Sequence, residues 1–357
     1  MDRATVETYE RSASRYAELR PPRWRDAARA FAATCLPGRV VADLGCGPGI
    51  YVDDLPRPLV ALDAAAAMLD LVGARPGVVR VQADLEALPF RDRSLGGAWA
   101  RNSYLHVPKA RLPLALARLH WAMDVGAPLT LSVVGGDGEG PWPDDDIGPR
   151  FFARWRDDEL RDVLVGAGFD DIDLSPMGST ADVWARARRA VALPDTVGPE
   201  MRLLMCGLNP SVYSAERGIA YARPGNRFWP AMLGAGLVSR DRDPLHALVR
   251  HGVGSTNVAT RPTVAASELS VEEYRTGLER VRRLCEWLRP GCIVFVGLAG
   301  WRAVVDRRAA AGPVDGGFGG VPAYVMPSTS GLNASSQVPD LVAHLRRALD
   351  LSTWHAS

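Results

Sequence analysis

The stretch MRLLMCGLNPSVYSAERGIAYARPGNRFWP, residues 201–230, carries the strongest fold signal of the chain. Its first part, Arg202 to Cys206, has the length and apolarity of a strand buried on both faces. Gly207 and Pro210 then turn the chain out of the sheet at its carboxyl end, where open α/β sheets bind ligands. Asn209 is therefore predicted at a strand tip. Its carboxamide can hold a water or a base edge, but it has no acid–base chemistry near neutral pH.

A second signature, Asn226-Arg227-Phe228-Trp229, begins 17 residues after Asn209. The polar and cationic pair suits a phosphate, and the aromatic pair suits a stacked ring. A turn followed by a buried aromatic anchor explains the same residues, and both interpretations remain open.

The composition indicates a globular protein of more than one domain. The 357 residues are 47% hydrophobic and 23% charged, and single domains most often have about 100–150 residues. No apolar run approaches the roughly 18 residues that span a bilayer, and the charged first 20 residues lack the apolar core of a signal peptide. We therefore expect a cytoplasmic protein with no membrane partner.

Two further counts limit the function classes. The five cysteines form no C-x-x-C pair, which argues against a disulfide framework, a zinc site or an iron–sulfur cluster, and no metal site is expected. From Asp195 onward there are 18 arginines and 14 acidic residues, an excess of four positive charges, whereas the remainder has an excess of three negative charges. The sign favours a polyanionic partner for the second half.

The first half shows strands that end on carboxylates. Residues 4–33 have helical spacing that breaks at Pro21-Pro22, and residues 39–49, RVVADLGCGPG, then read as a strand followed by a glycine loop. Such a loop can wrap a cofactor at a strand end. The strand at 59–63 ends on Asp63, in a place where a carboxylate can accept from ribose hydroxyls. The unit at 79–84 ends on Asp84, for which a helix N-cap is the alternative interpretation.

The motifs VADLGCGPG, ALD and QADLEALPF resemble class I S-adenosylmethionine-dependent methyltransferases, particularly the branch that acts on quinones and other small molecules. The resemblance covers residues 1–192 and implies a Rossmann-like sheet with S-adenosyl-L-methionine as the cofactor. It implies that Asp63 holds the ribose hydroxyls and that Asp84 lies near the adenine amino group. The residues that would frame the methionine end are Asp43, Gly45, Gly47 and Gly49. A dinucleotide dehydrogenase is the rival, but the G-x-G-x-x-G spacing is missing.

The acceptor side is less defined. The loop at 101–107 would face the transferred methyl group, and methyl transfer needs mainly alignment and charge placement. His106 could deprotonate an acceptor hydroxyl or make a structural hydrogen bond, and both remain open. A glycine-rich, acidic segment at 135–148 reads as a mobile loop over the pocket. The acceptor itself is an unidentified small molecule.

Residues 193–199, within the sequence VALPDTVGP at 191–199, are the best candidate for a linker because two prolines and a glycine interrupt helical spacing. The second domain is then expected at 200–357. An amphipathic helix at 271–288 and apolar strands at 292–297 and 324–326 alternate there, which predicts a parallel sheet with helices on both faces.

The motifs GLNPS, PGNRFW, TNVATRPT and MPSTSGLNA resemble the mismatch-specific uracil/thymine-DNA glycosylases of the uracil-DNA glycosylase superfamily. The resemblance implies an α/β/α domain that needs no cofactor and binds double-stranded DNA with a G:U or G:T mismatch. It implies that Asn209 positions the attacking water and that Phe228 stacks on the extruded base. The other residues it implies for the base site are Gly207, Leu208, Ser211 and Asn226, and those for the DNA wedge are Ser328, Ser330, Gly331, Leu332 and Asn333. Ser211 stands where a glycine is common in that family, so the base preference stays open.

The sequence therefore predicts a bifunctional enzyme. Its second domain would excise mismatched uracil, thymine or a damaged pyrimidine in base-excision repair, and its first would methylate the unidentified acceptor. The alternative is a small-molecule methyltransferase whose second domain only binds DNA or a nucleobase.

Overall fold

A computed structural model describes residues 1–142, 144–178, 180–333 and 335–352, with only the backbone described at Ala266. The chain divides into two compact units, Met1–Ala190 and Val191–Ser357. The division falls shortly before the segment 193–199 that the sequence suggested as a linker. Each unit has its own sheet, as the alternation of apolar strands and amphipathic helices predicts.

Unit 1 is built on a sheet of nine strands within the described residues. The strands are β1 (Val40–Leu44), β2 (Leu59–Asp63), β3 (Val78–Gln82), β4 (Leu95–Arg101), β5 (Pro128–Gly135), β6 (Glu139–Pro141), β7 (Phe151–Trp155), β8 (Phe169–Pro176) and β9 (Asp182–Arg189). The helices are α1 (Arg3–Leu19), α2 (Arg25–Ala32), α3 (Ala66–Val72), α4 (Leu112–Ala122) and α5 (Asp157–Gly166), with short 3₁₀ turns at Tyr104–His106 and Lys109–Arg111.

The order of the strands places three carboxyl ends side by side. The path is β3-β2-β1-β4-β5-β7-β6, and the pairs from β3 to β5 are parallel. β9 pairs antiparallel with β5 and with β8, so these two strands extend the sheet beyond its parallel part. Because parallel strands end at one edge, the loops after β1, β2 and β4 meet there.

The core of unit 1 packs around the buried Trp99 of β4. The rings of Phe31, Tyr51 and Trp184 lie 5.5, 5.8 and 5.3 Å from it between centroids. A Cβ added to Gly97 of β4 would come within 2.7 Å of the Cys35 Sγ atom. Glycine at this position therefore lets the segment after α2, which contains Cys35, pack closely on β4.

Two predictions for unit 1 need adjustment. The unit at 79–84 is a strand only to Gln82, and Asp84 lies in the following turn. The glycine-rich segment at 135–148 contains the short strand β6, which pairs antiparallel with β7. The expected loop is therefore partly fixed by strand pairing.

Unit 2 holds a sheet of five strands among the residues described. The strands are β10 (Leu203–Gly207), β11 (Val253–Asn257), β12 (Ile293–Val296), β13 (Gly312–Pro313) and β14 (Ala323–Met326). The helices are α6 (Val212–Arg217), α7 (Phe228–Gly234), α8 (Pro244–His251), α9 (Val271–Leu288), α10 (Leu298–Val304) and α11 (Val338–Asp350), with a 3₁₀ turn at Ala266–Glu268.

The sheet of unit 2 is parallel apart from its edge. Its order is β11-β10-β12-β14-β13, and only β13 runs antiparallel. Every residue of β10 is buried, as predicted for a strand with a helix layer on each face. Helix α9 spans the predicted residues, and Ser270 and Glu273 form a capping box at its start.

The segment predicted as a linker takes part in the fold of unit 2. The backbone of Thr196 exchanges two hydrogen bonds of 2.8 Å with Ser255 of β11. The buried Asp195 carboxylate accepts from Arg280 of α9 and from the Thr256 hydroxyl, both at 2.7 Å.

No helix in the described parts of the chain is both long and apolar enough to cross a bilayer.

Candidate functional sites

The glycine loop after β1 surrounds an unsatisfied carboxylate. Asp43 is 2% exposed, and its Oδ2 atom has no hydrogen-bond partner among the described residues. Burial, with the neighbouring Asp63, raises the pKa of Asp43 to about 8. A buried acceptor without a donor is costly, so this position fits a ligand that brings a donor, such as an amino group.

The backbone of the glycine loop after β1 is open to close approach by a ligand. Gly45, Gly47 and Gly49 all have positive φ, at 69°, 54° and 81°. A Cβ on Gly45 would lie 2.3 Å from the Cβ of Ser103, in the loop after β4. Side chains are therefore excluded, and the backbone can line a cofactor directly.

Asp63 closes the loop from the end of β2. Its carboxylate accepts from the backbone N–H groups of Gly47 and Ala65, each at 2.9 Å. Burial is the main cause that raises its pKa, and these hydrogen bonds oppose the rise. Asp63 thus fixes the glycine loop, and its contact with a ribose remains a prediction.

The Asp84 carboxylate accepts hydrogen bonds from other residues of unit 1. Its carboxylate accepts from the Glu86 N–H at 2.9 Å and from the amino group of Met1 at 2.7 Å. The Asp84 carbonyl also accepts from the Ala87 N–H. Asp84 therefore stabilises a turn, which is close to the alternative role considered for it, and its place beside an adenine remains a prediction.

His106 is held neutral in the interior of unit 1. It is 2% exposed, and burial lowers its pKa to about 4. Its Nδ1 atom lies 2.6 Å from the Phe151 carbonyl, which can only accept, so Nδ1 carries the proton. The Nε2 atom then accepts from the Tyr9 hydroxyl at 2.8 Å, while the Tyr9 oxygen accepts from Arg150. The expected structural hydrogen bond is present, and the lone pair at Nε2 is directed to Tyr9.

A cavity of about 350 Å³ adjoins this group, and we call it the acceptor cavity. His106, Tyr9 and Tyr16 line it together with Asn102, the residue before Ser103. A Cβ on Gly47 would lie 3.7 Å from the Tyr16 ring, so the cavity begins beside the glycine loop.

In unit 2 a second cavity, of about 270 Å³, opens where β10 and β11 end, and we call it the strand-tip cavity. Its wall includes five of the predicted base-site and wedge residues besides Asn209: Leu208, Ser211, Asn226, Ser328 and Ser330. A Cβ on Gly207 would come within 2.5 Å of the Asn257 Oδ1 atom. Glycine is therefore required where these two strands end.

Hydrogen bonds donated by the Nδ2 atom orient the Asn209 carboxamide. Nδ2 donates to the Thr263 hydroxyl at 2.7 Å and to the carbonyls of Arg261 and Pro210 at 3.3 and 3.2 Å. No donor among the described residues reaches the Oδ1 atom, which keeps its acceptor capacity for a water. Thr263 was not among the residues singled out from the sequence, although it belongs to the quoted motif TNVATRPT.

Phe228, which the resemblance places against the extruded base, does not line the strand-tip cavity, whereas Tyr221 does. Phe228 is 3% exposed and belongs to the core of unit 2. Its backbone N–H is capped by the Asn226 side chain at 2.9 Å at the start of α7, and its ring is covered by Tyr221 at 3.9 Å between centroids. Tyr221, with φ of 57°, lines the cavity. An aromatic residue just before PGNRFW was the signal that sequence reasoning missed.

Ser211 and Leu208 have structural partners. The Ser211 hydroxyl caps α6 by accepting from the Ser214 N–H at 3.2 Å. A Cβ on Gly300 would lie 2.2 Å from the Leu208 Cδ1 atom, so the Leu208 side chain packs against α10. Both residues still contribute surface to the cavity.

Residues 326–333 of the segment MPSTSGLNA form a braced loop with an exposed apolar tip, and Ala334 lies outside the described residues. Arg227 donates to the Ser330 carbonyl at 2.7 Å and also contacts the carbonyls of Asn333 and Ser336. The Asn333 amide donates to the Ser328 carbonyl at 2.8 Å. Leu332 at the tip is 92% exposed. Arg227 therefore braces this loop, which corrects the suggestion that it suits a phosphate.

Two further residues of the strand-tip cavity were not found from the sequence. Asn257, at the end of β11, is buried, and its carboxamide makes no hydrogen bond to another described residue. Its backbone carbonyl accepts from Arg280 at 2.9 Å, which ties it to the buried ion pair with Asp195. Arg223 is exposed at the wall and has no ion pair within the described ranges.

Unit 1 is thus an α/β domain with a mostly parallel sheet and a glycine loop after β1, and unit 2 is an α/β domain with an asparagine at a strand tip. Residues 194–350 match the family model described as "Uracil DNA glycosylase superfamily", and residues 41–126 match the one described as "Methyltransferase domain". The chain thus joins a methyltransferase domain to a domain of the uracil DNA glycosylase superfamily. No group of three metal-binding side chains occurs in the part of the chain that the structure describes.

Several solved structures match about half of the chain. A 1,6-didemethyltoxoflavin-N1-methyltransferase from Burkholderia thailandensis, with S-adenosylhomocysteine bound, is 22% identical and has a TM-score of 0.41; the match covers 52% of this chain and 88% of that one. An S-adenosylmethionine-dependent methyltransferase from Mesorhizobium loti is 18% identical with a TM-score of 0.38, covering 47% and 98%. One from Methanosarcina mazei is 14% identical with a TM-score of 0.39, covering 45% and 97%.

Proposed function

We propose that the chain is a bifunctional cytoplasmic enzyme. Unit 2 hydrolyses the N-glycosidic bond of uracil in mismatched DNA for base-excision repair, and unit 1 transfers a methyl group from S-adenosyl-L-methionine to a small molecule. Thymine and damaged pyrimidines in G:T and related mismatches are further candidate substrates. The observation that carries the proposal for unit 2 is the anchored Asn209 carboxamide, whose Nδ2 atom is held by Thr263 while Oδ1 stays available.

In the proposed reaction the Asn209 Oδ1 atom accepts a hydrogen bond from a water and directs its oxygen at C1′ of the flipped nucleotide. A C–O bond forms as the C1′–N bond breaks, and the bonding pair leaves with the pyrimidine, which takes up the proton lost from the water. Asparagine is no base, so the step relies on alignment and on donors that stabilise the leaving anion.

The rest of the strand-tip cavity supports recognition of a pyrimidine. The Tyr221 ring offers a stacking surface, and its buried hydroxyl has no partner among the residues described. The Asn257 carboxamide provides both a donor and an acceptor for a base edge. The exposed Leu332 would fill the gap that the flipped nucleotide leaves in the stack, while Ser328 and Ser330 would contact phosphate.

For unit 1, the residues around the glycine loop fit S-adenosyl-L-methionine. Asp43 would offer its unpaired Oδ2 atom to an amino group, and the glycines let the backbone pass close by. Asp63, which fixes the loop through Gly47, would also accept from the ribose hydroxyls. When bound, the cofactor supplies an electrophilic methyl group. The His106 Nε2 atom accepts a hydrogen bond from the Tyr9 hydroxyl. Because burial lowers the pKa of His106 to about 4, its proposed role is to hold Tyr9 at the wall of the acceptor cavity and not to act as a base.

The test uses the full chain with duplexes that contain one G:U, G:T or A:U pair, and follows base release under single-turnover conditions. We expect release from the G:U duplex and slower release from the A:U duplex. DNA binding without release of any base would favour the alternative that unit 2 only binds DNA. Calorimetry with S-adenosylhomocysteine tests unit 1 separately, and absence of binding would contradict its assignment.

A further inference from the structure

The acceptor cavity has walls of a definite chemical character. Besides Tyr9, Tyr16 and His106, the rings of Phe152 and Trp142 line it. Trp142 is 39% exposed at the rim and meets Phe152 edge-on at 5.2 Å between centroids. A large aromatic ring left half exposed beside a cavity offers its face to a planar ligand.

The positive charges of the cavity are already neutralised. Arg150 contacts Asp145 at 2.7 Å, and its guanidinium also lies over the rings of Tyr9 and Phe152. Arg20 contacts Asp146 at 2.6 Å and lies over the Tyr16 ring. Because both guanidinium groups have carboxylate partners, neither is poised to bind an anionic ligand.

Two carboxylates of the cavity form no ion pair within the described residues. Asp182, at the start of β9, accepts only a long hydrogen bond of 3.4 Å from Asn102, and Asp144 at the rim has no ion pair within the described residues. Burial raises the pKa of Asp182, and the hydrogen bond from Asn102 and the nearby charge of Arg101 oppose the rise. His106 is neutral and adds no positive charge. The lining has four aspartates against two arginines, a formal excess of two negative charges.

We propose that the acceptor cavity selects a planar aromatic molecule that carries a basic nitrogen, held as a cation beside Asp182 with its ring between Tyr16, Phe152 and Trp142. The proposal rests on the proposed function of unit 1 and names its substrate class. Aromatic acids and phosphate esters are disfavoured, because they would bring an anion to the unpaired carboxylates. The rings attract a cation as well as an aromatic surface.

The experiment titrates the full chain with matched probes at pH 7, with and without saturating S-adenosylhomocysteine. Tryptamine and indole-3-propionate share a ring and a two-carbon spacer but differ in the sign of the charge, and tryptophol is their neutral reference. Tyramine and 3-(4-hydroxyphenyl)propionate form a second pair, and hexylamine tests the need for a ring. We expect each aromatic amine to bind at least about tenfold more tightly than its matched acid, the scale of one desolvated charge pair.

The variant Asp182→Asn keeps the size of the side chain and removes its charge, so the preference for the amine should fall to a few-fold. Asp70→Asn, which changes an exposed carboxylate of α3 outside the cavity, should leave the preference unchanged. Melting curves of both variants check that the fold persists. The proposal is supported if the preference for the amine over its matched acid is lost in Asp182→Asn and kept in Asp70→Asn.

Equal or tighter binding of the acids overturns the proposal, and so does an amine preference that survives in Asp182→Asn, whatever the effect of Asp144→Asn. Failure of every probe to bind also overturns it. Failure of S-adenosylhomocysteine to bind contradicts the proposed cofactor of unit 1 instead, because the preference for amines is still measured in the titrations without it.

Discussion

Thr263→Val tests whether the orientation of the Asn209 carboxamide limits base excision. The Thr263 hydroxyl accepts the shortest of the three hydrogen bonds from Asn209 Nδ2, at 2.7 Å, whereas the two carbonyl contacts are 3.2 and 3.3 Å long. Valine has nearly the same shape and lacks the acceptor. The backbone hydrogen bond from the Thr263 N–H to the Pro210 carbonyl does not depend on the side chain, so the loop should stay in place.

The magnitude follows from one lost hydrogen bond. A net contribution of about 0.5–1.5 kcal/mol corresponds to a rate lowered roughly 2- to 10-fold, since about 1.4 kcal/mol is tenfold. The carboxamide would then sample orientations in which Oδ1 no longer faces the water. DNA affinity should change little, because Thr263 is buried and uncharged.

The assay is single-turnover release of uracil from a G:U duplex, with the affinity measured by gel shift on the same DNA. Thr263→Ser is the matched control, since it keeps the hydroxyl and should retain most of the rate. A rate unchanged in Thr263→Val would refute the proposed orienting role. Equal losses in the serine and valine variants would show that packing of the methyl group, and not the hydrogen bond, is what matters.

Three further predictions concern the cofactor, the wedge and the phosphates. Asp63→Ala should weaken binding of S-adenosyl-L-methionine about tenfold or more, because it removes the ribose acceptor and frees the Gly47 N–H; unchanged affinity by calorimetry would contradict the assignment. Leu332→Ala should slow excision from a G:U duplex more than from single-stranded uracil, where less stacking is undone; equal losses would count against a wedge. Arg223→Ala should reduce the slope of log affinity against log salt by about 0.9, the loss of one phosphate contact on duplex DNA; an unchanged slope would exclude that contact.

The regular elements could be predicted where local signals agreed with the global fold. The strand at 59–63 and the helix at 271–288 have the predicted bounds. For the helix, an amphipathic pattern coincides with the Ser270–Glu273 capping box. The glycine loop and the tip of β10 were predictable because only glycine fits positions so close to neighbouring atoms.

The parts that could not be predicted depend on contacts between distant segments. Phe228 and Tyr221 are both aromatic and close in sequence, and only the start of α7 decides which ring enters the core. From the sequence, Arg227 looks suited to bind a phosphate. In the structure its guanidinium donates to backbone carbonyls of a loop more than 100 residues later, and no local pattern predicts that contact. Asp195 likewise belongs to unit 2 through Arg280, a partner 85 residues away that no local pattern indicates.

The most direct test of the central claim is single-turnover uracil release by Asn209→Ala, paired with a gel shift on the same G:U duplex. The carboxamide carries no charge, so its removal should leave attraction to the phosphates nearly intact while the attacking water loses its alignment. We predict a rate lower by about 10² to 10³, or roughly 3 to 4 kcal/mol, with binding preserved. Excision at the wild-type rate would contradict the mechanism, and loss of DNA binding together with excision would show that Asn209 is a structural turn residue.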